Sequence, residues 1–433
     1  LVLLHELGYE VVAAHLDHAQ RPESVAEAER CAEFSHRLAV PFVVERVDVP
    51  ALARSLRVGI EEAGRVARYA FFERAAKEHE CTCIATAHTR DDLVETILWN
   101  LVRGAGLRGL AGIPPVRGAI VRPLLPFARS QTRQFCLERG LWFHDDPSNQ
   151  DPSFVRTRLR AGVLPSLRSL NPRFDEAMAA LAEVVREEDA LLDDLASAHL
   201  DEVAHHPIGP LAPLVNRVVI EMHRAKLSKL PLALRRRVVR LATRRLAGTL
   251  GFEHTEALMS GLRHQPKGCV TTGDGAVAVS WTPERVVAVS RVRLAPFDVG
   301  LAVPGETLLP PVWMRVRAEI GPVRTEKTPE DGLCVELDQA AVSGPLRARS
   351  PRPGDRWEPM TGRQQRISES LRSHGLPLPC RRMVPIIWDS RGPVAIPGVG
   401  TAARVRLGPE AVESLRVCLE FSEPSGVIMV GNG

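Results

Sequence analysis

Aromatic residues are scarce, at 5% of 433 residues with only two tyrosines. Few of them stand among the basic residues described below, so base stacking is not indicated there. No apolar run reaches the ~18–20 residues of a membrane-spanning helix. The apolar start, Leu1 to Leu7, is too short for a signal peptide, and no cleavage pattern follows it. There is no CxxC. The eight cysteines are scattered, with Cys81 and Cys83 the only close pair. That excludes a readable zinc motif or disulfide framework and leads us to expect reduced thiols in a cytoplasmic protein. Lysine is scarce beside arginine, which leans toward phosphate recognition. Repeats and low-complexity tracts are absent. What remains is ordinary for a soluble globular chain: 45% hydrophobic and 25% charged residues. The length fits two or three domains. The net charge of +4 is small enough that its placement matters more than its total.

The most informative stretch runs from Cys83 to Thr96, CIATAHTRDDLVET. Ile84 to Ala87 are small or β-branched, as in a strand covered on both faces. Val94, Ile97, Leu98, Leu101 and Val102 then mark one helical face. His88, Asp91, Asp92 and Glu95 therefore sit where strand passes to helix, the edge at which open α/β sheets bind ligands. The helix start suits phosphate. Asp92 and Glu95, at i and i+3, suit a cation or an amine. The plainer alternative is that the two aspartates only cap the helix. Arg103-Gly104-Ala105-Gly106-Leu107-Arg108-Gly109 follows, with more glycine than a C-cap needs, which suggests backbone close to an anion.

Strands expected at 11–18, 42–47, 84–87 and 120–125 alternate with helices at 23–38, 60–77 and 130–139, the pattern of a doubly wound parallel sheet. The first visible element is a helix end, so a strand, loop and helix are expected ahead of Leu1. Three more clusters fall at the polar edge: His15, Asp17, His18 and Arg21; Glu61, Glu62, Arg65, Arg68 and Tyr69; and the acidic turn 145–151 leading to Arg156, Arg158 and Arg160. Each has a plainer reading, as strand-end polar groups, helix-surface ion pairs or a solvated loop. The alternate arginines do not share one helix face. A long amphipathic helix is expected over 171–195. Residues 216–250 read as helical and carry ten bases, Arg217 through Arg245, against Glu221 alone, which favours a polyanion over a solvated face. Strands follow from 270, and a small α/β domain with basic residues from Arg349 onward closes the chain.

Taken with these residues, the chain resembles the tRNA(Ile)-lysidine synthetases, members of the PP-loop (N-type) ATP pyrophosphatase superfamily. The segment His15-Leu16-Asp17-His18 with Arg21 resembles the family's HxxH-and-Arg segment. Glu61-Glu62-Ala63 with Arg65, Arg68 and Tyr69 resembles its EEA-R-ARY helix. The stretch from Ala87 to Leu107 resembles AH-DD-ET-RGxGL, and Asp146-Pro147-Ser148-Asn149 through Arg160 resembles DPSN-RNRIR. The family's SGGxDS pyrophosphate loop is not in this sequence, and Thr157 stands where the family has Asn. The resemblance implies three domains: a catalytic PP-loop domain over 1–197, a helical basic tRNA-binding domain with a β extension over 198–345, and a C-terminal tRNA-binding domain over 346–433.

It also implies a ligase that joins free lysine to C2 of the wobble cytidine of an isoleucine tRNA with a CAU anticodon. ATP and Mg2+ are the implied cofactors, the metal ligand lying in the loop. No membrane is involved, and a homodimer is admitted. The implied catalytic residues are His88, Asp92, Arg103 and Arg158. Lysine would be held by Asp92, Glu95 and Asp146, and nucleotide by His15, Asp17, Ala87 and His88. The implied tRNA contacts are Arg235, Arg236, Arg237, Arg240, Arg352 and Arg356. The competing readings are a tRNA 2-thiocytidine synthetase, whose CxxC cysteines are lacking here, and an inactive tRNA-binding remnant.

Overall fold

A computed structural model describes the chain except for residues 20–23, 144–154, 206–208, 292–295, 310–313, 324–332 and 422–433. The chain divides at Ala190/Leu191 into two compact units.

In the first unit, strand β1 (Ala13–Asp17) pairs in parallel with β2 (Phe42–Arg46), and helix α2 (Ser24–Arg37) makes the crossover. The crossover is helical because parallel neighbours need a long connection. Helices α3 (Val49–Leu56) and α4 (Ile60–Glu78) follow. Their apolar faces close a core of Leu16, Val49, Ala53, Ala63, Ala67 and Phe71. Strand β3 (Ile84–Ala85) leads into α5 (Arg90–Val102) and α6 (Leu107–Leu110). It also pairs in parallel with β5 (Ile120–Val121), beside β4 (Val116–Arg117). Helix α7 (Arg129–Glu138) comes next. Residues 155–170 form one helical run, α8 (Val155–Arg158), a π turn over Leu159–Val163, and α9 (Leu164–Leu170). This is a doubly wound parallel α/β fold. The strands are shorter than the sequence pattern suggests, above all at 84–87 and 120–125.

Helix α5 anchors the site. Leu93, Val94, Ile97 and Leu98 are buried, each worth about 1.5–3 kcal/mol when fully withdrawn from water. The expected apolar face stops one turn early: Leu101 is 57% and Val102 70% exposed. Glu95, on the same helix, is buried with them.

The unit boundary falls within α10 (Phe174–Val203), a helix that starts and ends later than the one expected over 171–195. The second unit continues with α11 (Ala212–Asn216), β6 (Val219–His223), α12 (Arg224–Lys229), α13 (Leu232–Arg245) and α14 (Phe252–His264). Residues 219–223, read from sequence as helix, are a strand paired with β9 (Arg285–Ser290), because tertiary pairing overrides local preference there. Strands β7 (Gly268–Thr271) and β8 (Val277–Trp281) complete that sheet.

A larger core follows. Strands β10 (Asp298–Gly300), β11 (Gly305–Leu309), β12 (Met314–Pro322) and β13 (Cys334–Asp338) precede β14 (Arg347–Arg349). Next come the β15 (Arg356–Trp357) and β16 (Gln365–Arg366) hairpin, α15 (Ile367–Ser373) and α16 (Leu378–Arg381). The last strands are β17 (Ile386–Asp389), β18 (Gly392–Ile396), β19 (Gly400–Thr401) and β20 (Glu413–Phe421). One sheet runs β10-β14-β17-β18-β19 and another β11-β12-β20-β13, so strands upstream of residue 346 pair with strands downstream of it. Leu415, Val417 and Leu419 face the core at every second position, the period of a strand with one buried face.

The expectation of reduced thiols fails at one place. Cys334 and Cys418 face each other across β13 and β20 and form a disulfide. They lie 84 residues apart in sequence, so only the antiparallel register brings them together. The other six cysteines are free. Among the described residues no helix is long and apolar enough to cross a membrane.

Candidate active site

The ends of β1, β3 and β5 carry two groups of opposite charge. On the acidic side, Thr89 caps α5, and Asp92 Oδ2 accepts both the Thr89 N–H (2.7 Å) and the Thr89 hydroxyl (2.8 Å). The plainer capping role of Asp92 is therefore real, yet it uses one oxygen only. The other, Oδ1, accepts from Arg129 Nη2 at 2.7 Å. Burial pushes the Asp92 carboxyl up, but Thr89 and Arg129 outweigh it and hold the group below its ordinary range. Asp91 accepts the Arg129 backbone N–H (2.7 Å) and Arg168 (3.1 Å). Glu95, 1% exposed, accepts both arms of Arg160 (2.8 and 3.0 Å), with Arg129 at 3.7 Å. Three carboxylates thus meet three guanidiniums. Of those arginines, sequence reasoning singled out only Arg160, and gave it no role. Arg129 and Arg168 carry no motif signal.

The cationic side holds His15, His18, Arg68, His88 and Arg122. His88 Nδ1 lies 2.9 Å from the Thr86 hydroxyl. Burial lowers its pKa; Asp92 opposes, while Arg122, Arg156 and Arg68 lower it further, so His88 is neutral at pH 7. Burial and Arg68 likewise depress His18, whose Nε2 stands 3.4 Å from Arg68 Nη2. Gly64 permits that placement: a Cβ there would come within 3.0 Å of the His18 ring. His15 is half-buried and depressed, chiefly by burial. For Asp17, burial pushes up, but the Ser24 hydroxyl, the Ala19 N–H (2.8 Å) and Arg46 (3.4 Å) hold it low, so it braces the turn. Ala87 is exposed beside His88.

The remaining expected residues are more scattered. Arg103 is exposed and lies over the Trp99 ring, 5.6 Å from its centroid. Two of the glycines after it have a local explanation: Gly104 has φ +75, and a Cβ on Gly109 would strike Ala105 at 2.4 Å. Arg156 and Arg158 are exposed, while Arg160 turns in toward Glu95. Arg21 and Asp146 lie outside the described residues. Among the described residues no group of three or more His, Cys, Asp or Glu could hold a metal ion, and Asp91, Asp92 and Glu95 are taken by arginine.

In the second unit the basic helix α13 is largely neutralised from other elements. Arg235 donates to the Ser228 and Leu230 carbonyls, Arg236 pairs with Glu256, and Arg237 pairs with Asp193. Arg240 is exposed and also engaged. Arg352 reaches Asp298 at 3.3 Å. Arg356 differs. It stands directly opposite Arg366 across the β15–β16 hairpin, both exposed, with no side-chain partner for either among the described residues. Like charges directly opposed destabilise a hairpin, and an anion would relieve them.

Residues 2–167 match the family described as PP-loop domain, ATP_bind_3. The tRNA(Ile)-lysidine synthase of Geobacillus kaustophilus is 32% identical over 422 residues, covering 93% of this chain and 87% of that protein. That of Geobacter sulfurreducens is 32% identical over 96% of this chain and 89% of its own length. The Symbiobacterium thermophilum protein of the same name is 31% identical over 93% and 86%. On this whole-length similarity, together with a doubly wound domain whose strand ends gather the expected polar groups, the chain belongs to the tRNA(Ile)-lysidine synthase family, ATP-using ligases built on a PP-loop domain.

Proposed function

We propose that the protein joins free lysine to the wobble cytidine of an isoleucine tRNA with a CAU anticodon. The cytidine O2 attacks the α-phosphate of ATP and pyrophosphate leaves, giving an adenylated base. The ε-amine of lysine then attacks C2, AMP leaves with O2, and lysidine results. The observation that carries this reading is the division of the strand ends into a cationic and an acidic side. The first suits a transferring phosphate, which needs electrostatic clamping more than covalent help. The second suits an ammonium. The test supplies the full-length protein with ATP, magnesium, labelled lysine and the tRNA. Label in the wobble base is expected. Sulfur incorporation, or no modification, would overturn the reading.

Within that site Asp92 grips lysine. Among the described residues its Oδ1 is held by Arg129 alone, 40% exposed and able to swing away, so an incoming ammonium can replace it. Asp92→Asn should raise the lysine KM roughly ten- to a hundredfold, the worth of about 1.5–3 kcal/mol for a bond to a charged partner. The tRNA-dependent release of pyrophosphate should persist. A purely capping Asp92 would tolerate Asn; loss of the pyrophosphate step would assign it to ATP instead.

For tRNA, the unopposed Arg356–Arg366 pair supports backbone contact better than α13 does. Replacing both by alanine should flatten the log–log salt dependence of binding by roughly 0.7–0.9 per lost phosphate contact. Arg236→Ala with Arg237→Ala should leave that slope unchanged and lower thermal stability. A slope that responds only to the α13 changes would return the tRNA face to that helix. Dimerisation is a further expectation of the family resemblance, checked by light scattering.

A further inference from the structure

Arg122 is a buried charge without a carboxylate partner among the described residues. It is 5% exposed and follows β5 directly. Its Nη1 donates to the Pro114 carbonyl at 2.7 Å, and its Nε has no partner. Among the described residues no carboxylate lies within ion-pair reach. The contrast with other inward-facing arginines is plain. Arg404 has Asp389, Arg349 has Asp355 and Arg160 has Glu95. A guanidinium taken out of water with one peptide carbonyl for company carries a desolvation penalty that a single neutral acceptor does not offset.

Where Arg122 lies says what would offset it. Strand β5 runs parallel to β3, so Arg122 leaves the sheet at the same carboxyl edge as His88. Its charge reaches His88, whose protonation it disfavours along with Arg68 and Arg156. This corner is partly dry, and Arg68, Arg122 and Arg156 outweigh Asp92 in their effect on His88.

We propose that Arg122 binds a phosphate of the nucleotide, the one retained on the adenylated base and released as AMP. The proposal rests on the ligase reading above. A phosphate could also come from the tRNA backbone. The burial of Arg122 favours a small anion over a duplex backbone.

The test measures AMP and tRNA binding to the full-length protein, by calorimetry and thermal shift, for the unchanged chain, Arg122→Gln and Arg122→Lys. Arg122→Gln should weaken AMP at least tenfold and leave tRNA affinity unchanged. Arg122→Lys, which keeps charge without the fork, should fall between them, and it carries the comparison if the glutamine variant does not fold. His88, followed by NMR titration, should show a higher pKa on AMP binding in the unchanged chain, and already in free Arg122→Gln. Lower thermal stability with unaltered AMP affinity would make Arg122 only a strut for Pro114 and overturn the proposal. Lost tRNA affinity with intact AMP binding would overturn the nucleotide assignment. If the unchanged chain binds neither AMP nor ATP, the ligase reading itself fails.

Discussion

Asp389→Ala is expected to lower the stability of the second unit by about 3–5 kcal/mol, the range for breaking a buried ion pair from one side. The Asp389 side chain is fully buried, and Arg404 grips it with both arms at 2.8 and 2.5 Å. The backbone N–H groups of Ser343 (3.0 Å), Arg391 (2.8 Å) and Gly392 (3.1 Å) also donate to it. One carboxylate thus ties together the loop after β13, the turn between β17 and β18, and the segment after β19. Removing it leaves three backbone donors without that acceptor and the guanidinium with only the Gly392 carbonyl at 3.2 Å. In a domain of this size each kcal/mol moves the melting temperature by about 2–4 °C, so a fall of roughly 6–20 °C is expected by calorimetry.

Burial pushes Asp389 up, but Arg404 and the N–H groups prevail, so its folded pKa lies below the ordinary 3.8. Its contribution is therefore complete above that ordinary value and disappears as pH falls through the lower folded one. The gap between wild type and variant should close in acid. A fall of less than about 2 °C at neutral pH, where the full effect is due, would show that the loops hold without the clip.

The helix α5 and its strand were legible because strand and helix periods are local. The acids at their junction were legible because a strand end followed by a cap has a residue signature. Their partners were not. Arg129, Arg160 and Arg168 reach Asp92, Glu95 and Asp91 across 37, 65 and 77 residues, and no pattern in the chain points from one to the other. The partners of the basic run at 216–250 were illegible for the same reason: Asp193 and Glu256 lie outside the run. Periodicity placed Leu101 and Val102 on the correct face of α5, but it cannot report that the neighbouring elements stop short of them. The disulfide between β13 and β20 needed the strand register, which composition does not hold. Arg122 left no trace in sequence, because an isolated arginine beside an apolar run looks the same whether it is surface or buried.

Glu95→Gln is expected to lower kcat by about tenfold or more while changing the lysine KM less than threefold, a small misplacement near the chemistry being costly. Both Glu95 oxygens already accept from Arg160 and the residue is 1% exposed, so a substrate ammonium reaches Asp92 more readily than Glu95. On the proposed reading its task is to fix Arg160 and, at 3.7 Å, to steady Arg129, the guanidinium that an incoming lysine would displace from Asp92. Glutamine fills the same space but presents one acceptor oxygen and no charge, so the forked bond to Arg160 is lost. Alanine should go further and cost the first unit about 3 kcal/mol, near the low end for a buried pair because Arg160 is 32% exposed and can turn to water. Asp92→Asn and Glu95→Gln, three residues apart on one helix face, should thus separate cleanly in steady-state kinetics, one raising KM and the other lowering kcat. If Glu95→Gln instead raises the lysine KM tenfold with kcat intact, the Arg160 pair opens during the reaction and Glu95 holds the ammonium itself.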